Sequence, residues 1–297
     1  MIWKRKWCSL AVVLLLLATM FPSAAFGADP LSDDIVILFS SDVHGQVEDN
    51  LGYAGLVAYK NEKLTTHRYV SVVDAGDAIS GSMLASASEG EFTAEAMDLV
   101  GYTAAVVGVH EFDFGVKHFI NTIAKNANFS YVSCNFADAK GNPVFAPYKL
   151  VNYGSTKVAY LGISDPQTIK KSTASFGEGK YSFYQGNDGY TLFEQVQKAI
   201  DQAKAEGADY VIAISHLETD EDCLYTPHAV ARNTSGLTAI INGNAHEEIV
   251  GDKVVDRKGN TVLVTACGSG LQTIGEIVIS DHKTVTTSLI DVYKRQV

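Results

Sequence analysis

The fold turns on Ile35-Val36-Ile37-Leu38-Phe39-Ser40 and the five residues after it, Ser41-Asp42-Val43-His44-Gly45. The first six are apolar almost throughout, with β-branched and aromatic side chains, and read as a buried strand. Side chains at i and i+2 of an extended segment point the same way. Asp42 and His44 are therefore expected to reach together toward one point beyond the strand end. A single D-x-H arises often by chance, so its weight depends on what the rest of the chain places beside it.

Outward from that stretch, the alternation of strand and helix repeats. Tyr53–Leu64 reads as a helix, Tyr69–Val73 as a strand, Phe92–Val100 as a helix and Ala104–Val107 as a strand. Val116–Ala127 is helical and Tyr131–Cys134 extended. Lys157–Ile163 is a strand, Thr191–Glu206 an amphipathic helix ending at Gly207, and Tyr210–Ser215 and Ala239–Asn242 are strands. From Lys253 to Ile279 the pattern is strand-turn-strand, with Val262–Ala266 and Thr273–Ile279 its best segments, while Lys180–Tyr190 reads as an irregular surface loop. Apolar strands alternating with helices predict α/β layering, with helices covering sheet faces. The strand-only stretch near the end predicts a second sheet or an antiparallel extension.

Four more polar clusters follow predicted strands, where sites of α/β sheets collect. In Asp74-Ala75-Gly76-Asp77, Gly76 permits a tight turn. Asp77 is either a carboxylate able to bridge two cations or part of an Asx turn. In Gly108-Val109-His110-Glu111-Phe112-Asp113, His110 and Asp113 are three apart, which suits an imidazole oriented by a carboxylate; Glu111 reads as a helix-start charge. His216 ends a strand, and Gly243-Asn244-Ala245-His246 follows another. Each cluster alone has a plain structural reading, but five in this order are not well explained by coincidence. His67, His118, His228 and His282 fall outside them and read as surface or structural.

The order and content of these clusters resemble the calcineurin-like metallophosphoesterases. More narrowly they resemble the catalytic domain of the bacterial 5′-nucleotidase and 2′,3′-cyclic phosphodiesterase family, over about Ile35 to Ile279. Leu51-Gly52-Tyr53-Ala54-Gly55-Leu56 and Val72-Val73-Asp74-Ala75-Gly76-Asp77 carry the narrower likeness. The resemblance implies an α/β (α+β four-layer) fold: a β-sandwich of two mixed sheets flanked by helices, with two divalent metal ions (zinc, manganese, magnesium or calcium) at one edge. By position, Asp42, His44, Asp77 and His246 correspond to ligands of the first metal. Asp77 also bridges to the second, which His216 and the Asn244 position serve. His110 corresponds to the group that stabilises or protonates the leaving oxygen, and Asp113 to its orienter. Two positions depart from the family pattern. Val109 stands where a metal-binding Asn belongs, and Asn244 where the first His of Gly-His-x-His (or Gln) belongs. Valine has no donor atom, and an Asn carbonyl is a poorer partner than imidazole for zinc-like ions. The expectation is one metal bound firmly and a second weakly. The activity implied is hydrolysis of phosphate esters, nucleotides foremost; the alternative is a catalytically impaired binding protein on the same fold. In the family, recognition of the nucleotide base looks to lie on a C-terminal domain that follows the catalytic one.

Composition narrows the partners. The chain has 297 residues, 46% hydrophobic and 19% charged, which suits a globular core and excludes wholesale disorder. Its net charge of −11 argues against binding nucleic-acid polymers or anionic membranes. A small phosphorylated substrate remains compatible, because a metal centre supplies local positive charge. Lys4–Lys6, the apolar run Cys8–Phe21 and Ala25-Phe26-Gly27 read as a signal peptide over residues 1–27. That reading predicts a secreted, periplasmic or cell-surface protein with no membrane anchor after cleavage, and a catalytic domain over residues 28–290. Residues 291–297 are expected to be a foreign tail, since Asp291-Val292-Tyr293-Lys294-Arg295-Gln296 matches one reading frame of a transposon sequencing adapter. After the expected cleavage removes Cys8, the remaining Cys134, Cys223 and Cys267 are odd in number and form no C-x-x-C pair, so buried free thiols are expected.

Overall fold

In the computed structural model, which describes residues 31–176, 180–183, 190–220 and 222–291, the apolar run becomes β1 (Ser32–Ser40). The expected signal peptide and residues 292–297 of the expected tail lie outside the described residues. β1 is buried on both faces because its alternate side chains enter two different cores. Ile35, Ile37 and Phe39 face one, while Val36 and Leu38 face the other.

β1 lies inside a six-stranded sheet. Its parallel neighbours run outward as β2 (His67–Asp74), β3 (Ala104–Val106) and β4 (Ser130–Val132). A minor two-stranded ribbon joins β5 (Ala137–Asp138) to β8 (Tyr181–Ser182). The second six-stranded sheet has β7 (Thr156–Ser164), β9 (Tyr210–His216), β10 (Ala239–Gly243) and β12 (Thr261–Cys267) parallel to one another. Its edges are antiparallel, β6 (Tyr148–Tyr153) on β7 and β11 (Glu248–Val255) on β12. The chain then returns to the first sheet, where β13 (Ile274–Ile279) pairs antiparallel with β1 and β14 (Val285–Ile290) with β13.

The two mixed sheets pack face to face over a core that includes Ile35, Ile37, Phe39, Val73 and Val106 from one and Val158, Tyr160, Ile212, Ile214 and Ile241 from the other. Helices Gly52–Leu64 and Glu91–Val100 cover the outer face of the first sheet, burying Leu56 and Met97 against Val36, Leu38 and Val72. Helices Tyr190–Ala205 and Pro227–Asn233 cover the second, burying Val196, Ile200 and Val230 against Leu161, Val211 and Ile240. The architecture is the expected four-layer helix–sheet–sheet–helix arrangement. Fully burying one such aliphatic side chain contributes about 1.5–3 kcal/mol.

Several local readings change. The helix expected over Val116–Ala127 runs from Val116 to Asn126 with a π-helical turn at Phe119–Ile123. Strand β11 starts at Glu248, before the expected Lys253. Tyr181–Ser182 is a strand inside the expected loop Lys180–Tyr190, of which residues 184–189 lie outside the described residues. Cys134, Cys223 and Cys267 are free thiols, but only Cys267 is buried as expected, while Cys134 and Cys223 are half-buried. No helix of the described residues is long and apolar enough to cross a membrane.

Candidate active site

Five polar clusters leave the C-terminal ends of β1, β2, β3, β9 and β10, three from one sheet and two from the other. The loops after β1 and β2 stay zipped beyond their strands. Asp42 N–H donates to the Gly76 carbonyl at 2.9 Å, His44 N–H to Asp77 O at 2.9 Å, and Gly45 N–H to Ala78 O at 2.7 Å. The expectation of an extended Asp42-Val43-His44 does not hold. Asp42 and His44 both have φ 51°, and Asp77 (57°), Asn244 (78°) and His246 (56°) share that left-handed region. Non-glycine residues adopt it rarely, at a cost of roughly 1–3 kcal/mol each, and such strain clusters at functional sites.

Buried carbonyls, amides and one carboxylate hold these turns. Glu111, read from sequence as a helix-start charge, is instead a buried clamp. Its carboxylate accepts N–H groups from Asp77 (3.0 Å), Ala78 (2.8 Å) and Gly108 (2.7 Å), tying the β2 loop to the β3 loop. Burial pushes its carboxyl up to about 7, helped by Asp77 and resisted by His216 and the donated N–H groups. Gly76 (φ +95°) lets the β2 loop pass under His216: a Cβ there would stand 2.8 Å from His216 Nδ1.

The donors converge as two groups of three, each with its ligand atoms within 4.8 Å of one another: Asp42, His44 and His246, and Asp42, Asp77 and His216. His44 Nε2 lies 3.1 Å from His246 Nε2, and His246 Nε2 lies 3.5 Å from Asp42 Oδ1. The structure thus brings together all five His and Asp residues singled out as ligands, with Asp42 as well as Asp77 beside the second group. Asn244 donates its backbone N–H to both Asp42 oxygens at 3.1 Å.

These donors fit a divalent cation. His216 Nε2 is fully buried at 3.0 Å from Asp77 Oδ2, an ion-pair distance, yet it has no aligned hydrogen-bond partner among the described residues. Its Nδ1 bonds the Ala75 carbonyl at 2.7 Å, which leaves Nε2 aimed into the cluster. Burial opposes a charge on His216, but Asp77 and Asp42 outweigh it and push the imidazole up to about 10. Burial likewise opposes the charge on Asp77, but His216 and His110 hold its carboxyl well below the usual range. His44 behaves differently: burial lowers it despite Asp77 and Asp42, so it is neutral near pH 7, the form that ligates. The carboxylates of Asp42 and Asp77 carry negative charge that a cation would balance, and the three imidazoles offer nitrogen donors once they are neutral.

Beside this cluster stands His110, whose ring centroid lies 5.3 Å from that of His44. Its backbone N–H donates to Asp77 Oδ1 at 2.7 Å and its Nδ1 meets Asp113 Oδ2 at 2.9 Å. The Asp113 hydrogen bond raises His110 to about 9 against the effect of burial. Asp113 is held low: burial opposes its charge, but hydrogen bonds from His110 and Ser80 prevail. Ser80 and Glu111 were not among the sequence candidates. Glu111 sits in a quoted cluster but two of its three partners, Asp77 and Ala78, lie on another loop, and no local pattern marks Ser80.

Val109 is buried and apolar, and Asn244 Nδ2 is buried with no hydrogen-bond partner among the described residues. His118, 2.9 Å from the Glu89 carbonyl, and His228, 3.1 Å from Asp252, take part in local contacts away from these clusters.

No family model matches the chain. The snake venom 5′-nucleotidase of Gloydius brevicauda is 28% identical over 253 residues, spanning 79% of this chain and 40% of its own length. The 2′,3′-cyclic-nucleotide 2′-phosphodiesterase/3′-nucleotidase of Salmonella typhimurium is 27% identical over 279 residues, spanning 82% of this chain and 41% of its own. The chain therefore spans about two fifths of the length of the curated relatives it matches. Among solved structures, the calcineurin-like phosphoesterase YfkN from Bacillus subtilis superposes with a TM-score of 0.73 at 21% identity, over 90% of this chain and 92% of that one. The fold is that of the calcineurin-like phosphoesterases, and in sequence the chain resembles part of the 5′-nucleotidases and 2′,3′-cyclic-nucleotide 2′-phosphodiesterase/3′-nucleotidases.

Proposed function

We propose that the chain is an extracytoplasmic metal-dependent hydrolase of small phosphate esters, nucleotides above all, with one strong and one weakened cation site. One observation carries the reading: Asp42, His44, Asp77, His216 and His246 leave four strand ends of two sheets yet gather beside the His110–Asp113 pair. Asp42, His44, Asp77 and His246 would hold the first cation, and Asp77, His216 and Asn244 the second. Zinc, manganese, magnesium or calcium at such a site would supply Lewis acidity, lowering the pKa of bound water (to ~7 for zinc) and neutralising phosphoryl charge.

The chain's own residues do the rest. Asp113 accepts a hydrogen bond from the His110 Nδ1–H, which leaves Nε2 to stabilise or protonate the departing oxygen. Asp77 Oδ1 fixes the His110 backbone, so the acid and the ligand cluster keep one spacing. The nucleotidase names of the relatives support a nucleotide substrate. The basic and apolar N-terminal stretch supports the extracytoplasmic location.

A chromogenic phosphomonoester and phosphodiester, assayed with excess manganese or zinc, test the reading. Turnover that a chelator abolishes is expected. Val109→Asn with Asn244→His is expected to raise activity at limiting metal by about 10–100-fold. The two substitutions also favour a second reading, an impaired phosphoesterase-fold binding protein. Turnover absent in the parent but present in the double variant would establish that one, and absence in both would contradict phosphoester hydrolysis.

A further inference from the structure

We propose that Ser80 is a positioning residue of the His110–Asp113 pair, completing a closed ring of contacts that sets the imidazole in register with the cation ligands. The role rests on the phosphoesterase reading; the contacts do not. Ser80 is buried and its hydroxyl donates to Asp113 Oδ2 at 2.5 Å. The same oxygen takes the His110 Nδ1 contact at 2.9 Å. His110 N–H in turn donates to Asp77 Oδ1, and Asp77 lies three residues before Ser80. The ring therefore runs Asp77, Ser80, Asp113, His110 and back to Asp77.

Each member answers for a different freedom. Asp77 places the backbone of His110, and Asp113 selects its tautomer and ring angle. Asp113 itself follows a short 3₁₀ turn and keeps a third of its side chain exposed (33%), so its carboxylate can turn toward solvent. The buried Ser80 hydroxyl holds one oxygen against that rotation. The segment carrying it is fixed elsewhere: Ala78 N–H is bonded by Glu111, and Gly81, with φ +121°, abuts His44 so closely that a Cβ would stand 2.9 Å from His44 Cβ. A hydrogen bond to a carboxylate that also orients an imidazole belongs to the networks whose members act as a unit.

The test uses the full chain and two readouts. In the ¹⁵N-labelled protein, the His110 Nδ1–H resonance is assigned by its loss in His110→Gln. Ser80→Ala is expected to broaden or abolish that resonance, and Ser80→Thr, which keeps the hydroxyl, to retain it. In the metal-loaded protein, Ser80→Ala is expected to lower kcat about ten-fold, with KM and zinc affinity unchanged, and Ser80→Thr to recover most of it. An unmoved resonance with an unchanged kcat in Ser80→Ala overturns the proposal. So does a loss of zinc affinity or of thermal stability that accounts for the fall in kcat. If the parent turns over no phosphate ester, the hydrolase reading fails by itself and the resonance alone decides whether Ser80 holds the pair.

Discussion

Asp42, His44, Asp77, Asn244 and His246 hold left-handed backbone with ordinary side chains, and the glycines between them make room for it. Gly76→Ala is the sharpest probe of that room. It puts a methyl group 2.8 Å from His216 Nδ1 at φ +95°, so a loss of ~1–3 kcal/mol is expected, together with weaker zinc binding. Urea denaturation and a zinc titration measure the two. Asp74 gives a pH prediction. Burial pushes its carboxyl up to about 8, against the hydrogen bond from Ser40. A carboxyl raised in the folded state favours folding most below its unfolded value near 4, and that contribution is lost as pH rises toward 8. Asp74→Asn, unfolded by urea in chelator, should match the parent near pH 4 and gain on it progressively up to pH 8.5; a constant difference would contradict this. At this scale sequence patterns reached the ligand types but not their geometry. The i, i+2 rule assumed extended backbone at Asp42 and His44, where the chain turns instead. Glu111 and Ser80 stayed hidden because the partners that reveal their roles, Asp77 and Ala78 for Glu111 and Asp113 for Ser80, lie 33 or 34 residues away in the chain.

Secondary structure was most legible where burial is complete. The alternating contents of β1 enter two cores, so its run of apolar residues signalled a central strand. Strands β6 and β14, at the sheet edges, carry half-buried mixtures with little pattern to read. The short helix Pro227–Asn233 depends on Thr226 capping Ala229 N–H and on proline in the first turn, signals confined to a few residues. The π turn at Phe119–Ile123 shifts the helical periodicity and has no local sequence mark. Phe112 links element to site. It is fully buried, with its ring centroid 4.6 Å from that of Phe176 and 5.4 Å from that of Phe119, directly between His110 and Asp113 in sequence. Phe112→Ala is expected to cost about 3–5 kcal/mol and to loosen the His110–Asp113 contact. Thermal denaturation with the His110 Nδ1–H resonance checks both; a stable variant with an intact resonance would show the aromatic cluster to be dispensable to the site.

Across the whole molecule, the two sheets meet at a site neither could build alone. Asp42, Asp77 and His110 come from one, and His216, Asn244 and His246 from the other. A cation bound among them would tie the sandwich together and, binding the folded state in preference, would stabilise it by mass action. At a hundred-fold excess over its dissociation constant, zinc should add about 2.7 kcal/mol to unfolding free energy, seen as a rise in Tm that a chelator reverses. Affinity should rise from pH 6 to pH 8, because the raised His216 and His246 must release protons to ligate. The most direct test of the metal centre is a calorimetric titration of the full chain with zinc, alongside Asp42→Asn. One tight and one markedly weaker event are expected in the parent, with the tight event weakened most in the variant, because Asp42 is assigned to the first cation and also lies within ligand distance of Asp77 and His216. No heat of binding, or two events untouched by Asp42→Asn, would contradict a shared metal centre at these strand ends.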